Sequence, residues 1–198
     1  MTDFPIFYLI SFLYRHVEQH NHELNELNAL ELLDSLLGWS RSQLKREVLP
    51  AIYPYHLADD LLKQLHEQIH AKSIQIDNRI APSLHLPLHD KVLSLVLRNL
   101  LVNAIKFTQD EGCIVLTCKH DDEQTRICIE NNGVGMSHET LQRLFSHHPV
   151  GSSLGTHGET GSGIGLLLCK QLLHSIKAEI HADSTPGHGS RFEIRLPA

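Results

Sequence analysis

From Leu24 onward apolar residues recur at spacings of three and four: Leu24, Leu27, Leu30, Leu33 and Leu37, with Leu32 and Leu36 widening the stripe. Neither Gly nor Pro interrupts the chain between Pro5 and Gly38. The pattern predicts one long amphipathic helix, from about Ile6 to Lys45, of the kind that pairs in a bundle or coiled coil. Pro50 and Pro54 then mark a linker. Beyond it the periodicity alternates between helix and strand. Leu57, Leu61, Leu65 and Ile69 predict a helix over Leu57–Ala71. Ile74, Ile76 and Ile80 fit period two, and Leu84–Leu88 is a shorter strand.

Asp90–Phe107 is a strongly apolar helix. Cys113–His120 and Thr125–Glu130 are strands joined by the polar turn Asp121-Asp122-Glu123. Ser137–Phe145 is a short helix with Ser137 as its N-cap and Glu139 in the first turn. His147–Gly163 carries five glycines and little periodicity, which predicts a mobile loop. Ile164–Ile176 is helical. Glu179–Asp183 and Arg191–Leu196 are strands around the turn Pro186-Gly187-His188-Gly189. The expected organisation is a helical segment at 1–50 and an α/β domain at 51–198, with helices on one face of a mixed sheet.

Composition narrows the function classes. The 198 residues are 41% hydrophobic and 20% charged, enough apolar material for a core. The net charge of −6 argues against a broad nucleic-acid surface. The apolar run Phe4–Leu13 falls short of the ~20 residues of a membrane span, and no signal peptide is evident. Cys113, Cys118, Cys128 and Cys169 lack C-x-x-C spacing and sit in apolar segments, which fits reduced core thiols in the cytoplasm. There are 16 histidines against 17 Lys plus Arg, so charge is steep near pH 6.5.

Three separated segments carry phosphate-site chemistry. In Asn99-Leu-Leu-Val-Asn103-Ala-Ile-Lys106-Phe-Thr108, the residues Asn99, Asn103 and Lys106 share one helical stripe bordered by Leu95 and Val102. Amide oxygens there can ligate Mg²⁺, and Lys can neutralise phosphate; the plainer alternative is a stripe that faces water. Asn131-Asn132-Gly133-Val134-Gly135-Met136 follows a strand, where Gly allows close backbone approach. Gly158-Glu-Thr-Gly161-Ser-Gly163-Ile-Gly165-Leu runs into a helix, whose N–H groups and dipole suit phosphate.

In this order the segments resemble the ATP-binding catalytic domain of sensor histidine kinases, within the GHKL ATPase superfamily. Asn99–Thr108 resembles the N box, Asn131–Gly135 the first glycine box, Leu144-Phe145 the F box and Gly161–Gly165 the second glycine box. Ser184-Thr-Pro-Gly187-His-Gly189-Ser190-Arg-Phe192 through Pro197 is similar to the closing hairpin. Leu36-Leu-Gly-Trp39-Ser-Arg-Ser-Gln43 resembles the lower half of the second dimerisation helix. The resemblance spans roughly Leu30 to Pro197. It implies a two-layer α/β sandwich of GHKL type preceded by a long helix.

The resemblance also implies roles. Asn103 would ligate Mg²⁺ on the triphosphate, with Asn99 and Lys106 at the phosphates or their water shell. Gly133 and Gly135 would let the backbone pass close to adenine, and Ser190 would lie near the same pocket. Gly161, Gly163 and Gly165 would hinge a lid, His147–Thr160, and offer N–H groups to phosphate. The implied activity is transfer of the ATP γ-phosphoryl to a His and on to a response-regulator receiver domain. The implied assembly is a homodimer through the N-terminal helix. The implied location is the cytoplasm, either as a free protein or as the cytoplasmic part of a membrane-linked kinase.

Two departures matter. Where the family pattern has Asp, which accepts a hydrogen bond from the adenine amino group, this chain has Asn131. Its carbonyl oxygen is expected still to accept, with affinity lowered about tenfold or more. Second, no helical hairpin with an acceptor His is evident. From His22 to Trp39 an unbroken helix spans ~26 Å, as if a connector ran straight into the second hairpin helix. His22, in His22-Glu23-Leu24-Asn25, is the nearest acceptor candidate; its plainer reading is a solvated helix-face His. A catalytically incomplete ATP-binding or partner-binding regulatory module is therefore the second reading. A third, from another class, is a zinc hydrolase through His66-Glu67-Gln68-Ile69-His70, an H-E-x-x-H on a predicted helix that lacks an obvious third ligand.

Overall fold

A computed structural model describes residues 51–87, 90–121, 123–145, 154–160, 163 and 165–197. The predicted N-terminal helix, its leucine stripe, His22, Gly161 and the stretch 147–153 of the predicted lid lie outside the described residues.

The chain forms β1 (Ala51–Ile52), α1 (Pro54–Gln64), α2 (His66–Ala71), β2 (Gln75–Asn78), β3 (Leu86–Pro87), α3 (Asp90–Phe107), β4 (Cys113–His120), β5 (Gln124–Asn131), α4 (His138–Arg143), α5 (Gly165–Ser175), β6 (Glu179–Thr185) and β7 (Gly189–Pro197). The main sheet has the order β2-β4-β5-β7-β6. Its β2–β4 pair is parallel and the rest are antiparallel. Helices α1, α3 and α5 cover one face, giving the expected two-layer α/β sandwich with a mixed sheet.

Period-two alternation decides which side chains enter the core. Ile114 and Leu116 of β4, Ile127 and Ile129 of β5, and Ile194 and Leu196 of β7 point to the helices and are buried. Val96, Leu97, Leu100 and Leu101 of α3 meet them. Residues of opposite parity form a polar outer face, where Glu193 accepts from Arg191 at 2.6 Å and Arg195 at 2.6 Å.

Three elements depart from the sequence expectation by more than a shift of their ends. Pro54 does not belong to a linker. It fills the first turn of α1, where its missing N–H costs nothing. The single helix expected over Leu57–Ala71 is interrupted at Leu65, which leaves helical geometry while its side chain stays buried. The strand expected over Leu84–Leu88 shrinks to β3, whose partner is β1 in a separate two-stranded sheet.

Candidate functional site

The site is built where α3 ends. Ala104 and Ile105 anchor the last turns of α3 in the core, so the helical period turns Asn99 and Asn103 toward α5 while both stay half-buried. The Asn103 amide Nδ2 donates to Asn99 Oδ1 at 3.2 Å. That leaves the Asn103 carbonyl oxygen, a hard oxygen donor, for a ligand. Opposite stands the start of α5. Gly165 touches Asn99 so closely that any side chain at 165 would overlap the Asn99 amide. The contact brings backbone N–H groups of the α5 N-terminus to the polar stripe of α3, a pairing suited to anions. Gly163, two residues earlier, has φ 71°.

Lys106 continues the stripe, 8% exposed, with its Nζ 4.9 Å from the Phe107 ring centroid. Burial lowers its pKa; the nearby Glu159 carboxylate opposes this, and Lys72 adds to it. The strap 154–160 crosses this end of α3. Thr156 N–H donates to the Lys106 carbonyl at 3.0 Å, and its hydroxyl to the Thr108 carbonyl at 2.9 Å. His157 Nε2 and Asp110 Oδ1 lie 2.6 Å apart.

Lys72 belongs to none of the three phosphate-type segments. It is 3% exposed. Its Nζ donates to the Ile105 carbonyl at 3.0 Å, the Lys106 carbonyl at 3.1 Å and Thr156 Oγ1 at 2.7 Å, and pairs with Glu159 Oε1 at 2.6 Å. It caps the carbonyls of the last α3 turn and ties the strap to them. The signal was absent from the sequence, because Lys72 looks like any lysine between a helix and a strand.

At the other side of the α3 terminus lies Asn131, the last residue of β5. Its odd parity with Ile127 and Ile129 sends it to the helix side, between Ile114 and Ser190 in register, and it is 5% exposed. Its three polar neighbours are Thr108 Oγ1 at 3.1 Å, the Gly133 N–H at 3.1 Å and the Ser190 carbonyl at 3.0 Å. The Thr108 hydroxyl donates to the Ala104 carbonyl at 2.6 Å, and the other two are satisfied together when Oδ1 turns inward to accept from Gly133 and Nδ2 donates to Ser190. The carbonyl oxygen expected to serve a ligand is thus spent inside the protein.

The loop after Asn131 is held close on both sides. Gly133 sits against the Phe107 carbonyl and Gly135, with φ 66°, against the Thr185 carbonyl; neither position has space for a side chain. Met136 N–H donates to Ser184 Oγ at 2.8 Å, and Ser184 lies 2.9 Å from Ser190, so the β6–β7 hairpin and this loop form one wall. The structure therefore brings Asn99, Asn103, Lys106, Gly165, Asn131, Gly133, Gly135 and Ser190 around the end of α3.

His66 and His70 form no such centre. Their rings lie stacked 5.8 Å apart on α2 with both residues exposed. Among the described residues no group of three or more His, Cys, Asp and Glu side chains could hold a metal. The described cysteines are all free thiols, and burial pushes the Cys169 thiol up to about 12. Among the described residues no helix is long and apolar enough to cross a membrane.

Known proteins resemble this chain in sequence and in fold. The chain is 34% identical over 179 residues to the sensor protein GacS of Pseudomonas syringae pv. syringae, covering 85% of this chain and 20% of that protein. It is 33% identical over 177 residues to the sensor histidine kinase RcsC of Escherichia coli K12, covering 85% of this chain and 18% of that one. It thus spans about a fifth of the length of these curated relatives. The catalytic domain of histidine kinase ThkA superposes with a TM-score of 0.64 at 21% identity, covering 75% of this chain and 94% of that one. Histidine kinase AdeS of Acinetobacter baumannii gives 0.62 at 16% identity, covering 97% and 94%. The sequence model of the histidine kinase-, DNA gyrase B- and HSP90-like ATPases matches residues 89–198, so the chain belongs to that ATPase family as a histidine-kinase ATPase domain.

Proposed function

We propose that this chain binds Mg²⁺-ATP between the second half of α3 and the start of α5. We propose further that, as part of a sensor kinase, it passes the γ-phosphoryl to a histidine and then to an aspartate of a response-regulator receiver domain. The observation that carries the reading is the Asn99–Asn103 amide pair facing the side-chain-free N-terminus of α5, with the buried Lys106 one turn further on. Amide oxygen, backbone N–H and ammonium together suit a metal–triphosphate.

The residues fit the metal. Asn103 keeps its carbonyl oxygen free of Asn99, and that oxygen would hold Mg²⁺, which when bound neutralises and bridges phosphate oxygens. Asn99 and Lys106 would orient the phosphates, while Gly163 and Gly165, with Gly161 beside them, would supply N–H groups. Gly133, Gly135 and Ser190 would line the base. Residues 1–50 would pair two copies through the leucine stripe, with the catalytic domain at 51–198, in the cytoplasm.

Nucleotide titration in Mg²⁺ tests the pocket: binding lost in Asn103→Ala supports it, and no binding at millimolar ATP overturns it. Incubation with γ-labelled ATP tests the acceptor. Acid-labile label that disappears in His22→Ala assigns His22. A chain that binds ATP and stays unlabelled is a regulatory module or donates to a histidine outside residues 1–198.

A further inference from the structure

We propose that Asn131 removes adenine selectivity from this site and admits 6-oxo purine nucleotides, inosine and guanosine triphosphates, at least as well as ATP. This deepens the nucleotide reading above and rests on it, taking the base to lie at Asn131.

The argument starts from hydrogen-bond capacity. A carboxamide has two acceptor lone pairs on oxygen and two N–H donors on nitrogen. Around Asn131, the Gly133 N–H and the Thr108 hydroxyl face one end of the amide and the Ser190 carbonyl the other. Only one orientation sets neither the Gly133 N–H nor the Ser190 carbonyl against its like. It turns Oδ1 inward to Gly133 and Thr108, and Nδ2 to Ser190. The Thr108 hydroxyl donates to the Ala104 carbonyl at 2.6 Å, whose second lone pair accepts the Thr108 N–H at 3.0 Å. Wherever the hydroxyl proton goes, Gly133 and Ser190 alone fix the orientation.

With Oδ1 turned inward against Gly133 and Thr108, what Asn131 has left for a ligand is one N–H. Buried to 5% exposure, the amide has almost no water to soften a mismatch. A 6-amino group would set N–H against N–H, whereas a 6-oxo group accepts. Turning the amide to serve adenine would oppose its oxygen to the Ser190 carbonyl and its NH₂ to the Gly133 N–H, so the protein resists that change. A polar site that reads a donor or acceptor discriminates against the analogue of opposite sense.

The test is equilibrium binding of ATP and ITP, in Mg²⁺, to the 198-residue chain and to Asn131→Asp. The two bases differ at position 6 and in the N1 proton that follows from it. ITP is expected to bind the wild-type chain as tightly as ATP or more tightly. In Asn131→Asp the carboxylate can accept from the amino group, and the ATP-to-ITP preference should rise about tenfold. The preference is a ratio within one preparation, so partial unfolding of the variant leaves it intact; if the variant does not fold, the wild-type ratio decides. Wild-type protein that binds ATP more tightly than ITP overturns the inference and leaves the nucleotide site standing. Binding of neither overturns both.

Discussion

Gly165 and Asn99 compete for one volume: the first residue of α5 has no side chain, and a methyl group there would overlap the Asn99 carboxamide on α3. The contact sets how near the α5 N-terminus comes to the phosphate-type residues of α3. Gly165→Ala is expected to push the Asn99 carboxamide off its Asn103 contact or to move α5 back, lowering stability by up to about 1–3 kcal/mol through overpacking and nucleotide affinity at least about tenfold by displacing the phosphate-type groups. In Gly165→Ala/Asn99→Ala the volume is returned, so urea denaturation should recover while nucleotide titration stays weak. Recovery of binding in the double variant would show that Asn99 serves only to space the helices.

The two halves of this contact were legible in sequence to different degrees. Asp90–Phe107 and Cys113–His120 have the predicted bounds, because each is a long periodic run whose neighbours are polar or glycine. The stripe of Asn99, Asn103 and Lys106 followed from the helical period, and its alignment with a glycine-rich helix start followed from the family resemblance. The break at Leu65 was hidden, because Leu57, Leu61, Leu65 and Ile69 keep helical spacing across it. Lys72 was hidden for another reason. Its partner Thr156 lies 84 residues away, and no local pattern encodes a contact of that range. The same holds for Asn131, whose amide orientation is set by the Gly133 N–H together with the distant Ser190 on β7.

Lys106 illustrates stability given up for binding. Its folded pKa lies below the ordinary 10.5, chiefly through burial, so the folded state resists its charge. The penalty is complete at pH values below the folded pKa and vanishes as pH rises through 10.5. Lys106→Met should therefore be more stable than wild type by about 1 kcal/mol at pH 7, with the gap narrowing above pH 10, and should bind nucleotide far more weakly. Thermal denaturation across pH 7–11 checks the first part and titration the second. A less stable Lys106→Met would mean that the Phe107 and Glu159 contacts of the ammonium outweigh its burial.

Lys72 and Glu159 carry a pH signature. Burial raises the Glu159 carboxyl, but the Lys72 hydrogen bond and the His157 N–H outweigh it and hold the pKa below 4.5. A depressed carboxylate stabilises the fold above its unfolded pKa and loses that contribution as pH falls through the folded one. Glu159→Gln should thus be slightly less stable than wild type at pH 7, by less than about 1 kcal/mol given the carboxylate's partial exposure. The difference should fade as pH drops below 4.5. Lys72→Met strips donors from two helix-terminal carbonyls as well and should cost about 2–3 kcal/mol. Denaturation of the three proteins between pH 7 and pH 3 resolves this. A gap between wild type and Glu159→Gln that does not narrow at all as pH falls below 4.5 would rule out the ion pair as its source.

Lys177 offers a gain without a functional cost. Helix α5 ends in a Schellman arrangement. Lys177 takes φ 60° and donates its N–H to His174 at 3.1 Å, and Ala178 donates to Leu173 at 2.8 Å. The left-handed conformation crowds a lysine Cβ against its own backbone, whereas glycine adopts it without strain. Glycine also gives the unfolded chain more entropy to lose, which takes back part of the relief. Lys177→Gly should therefore raise stability by a net of about 0.5–1 kcal/mol. The residue is exposed, at the opposite end of α5 from Gly165, so nucleotide affinity should not change. Thermal unfolding and titration of Lys177→Gly beside wild type check both halves. Unchanged or lowered stability would show that the helix end relaxes around lysine at no net cost.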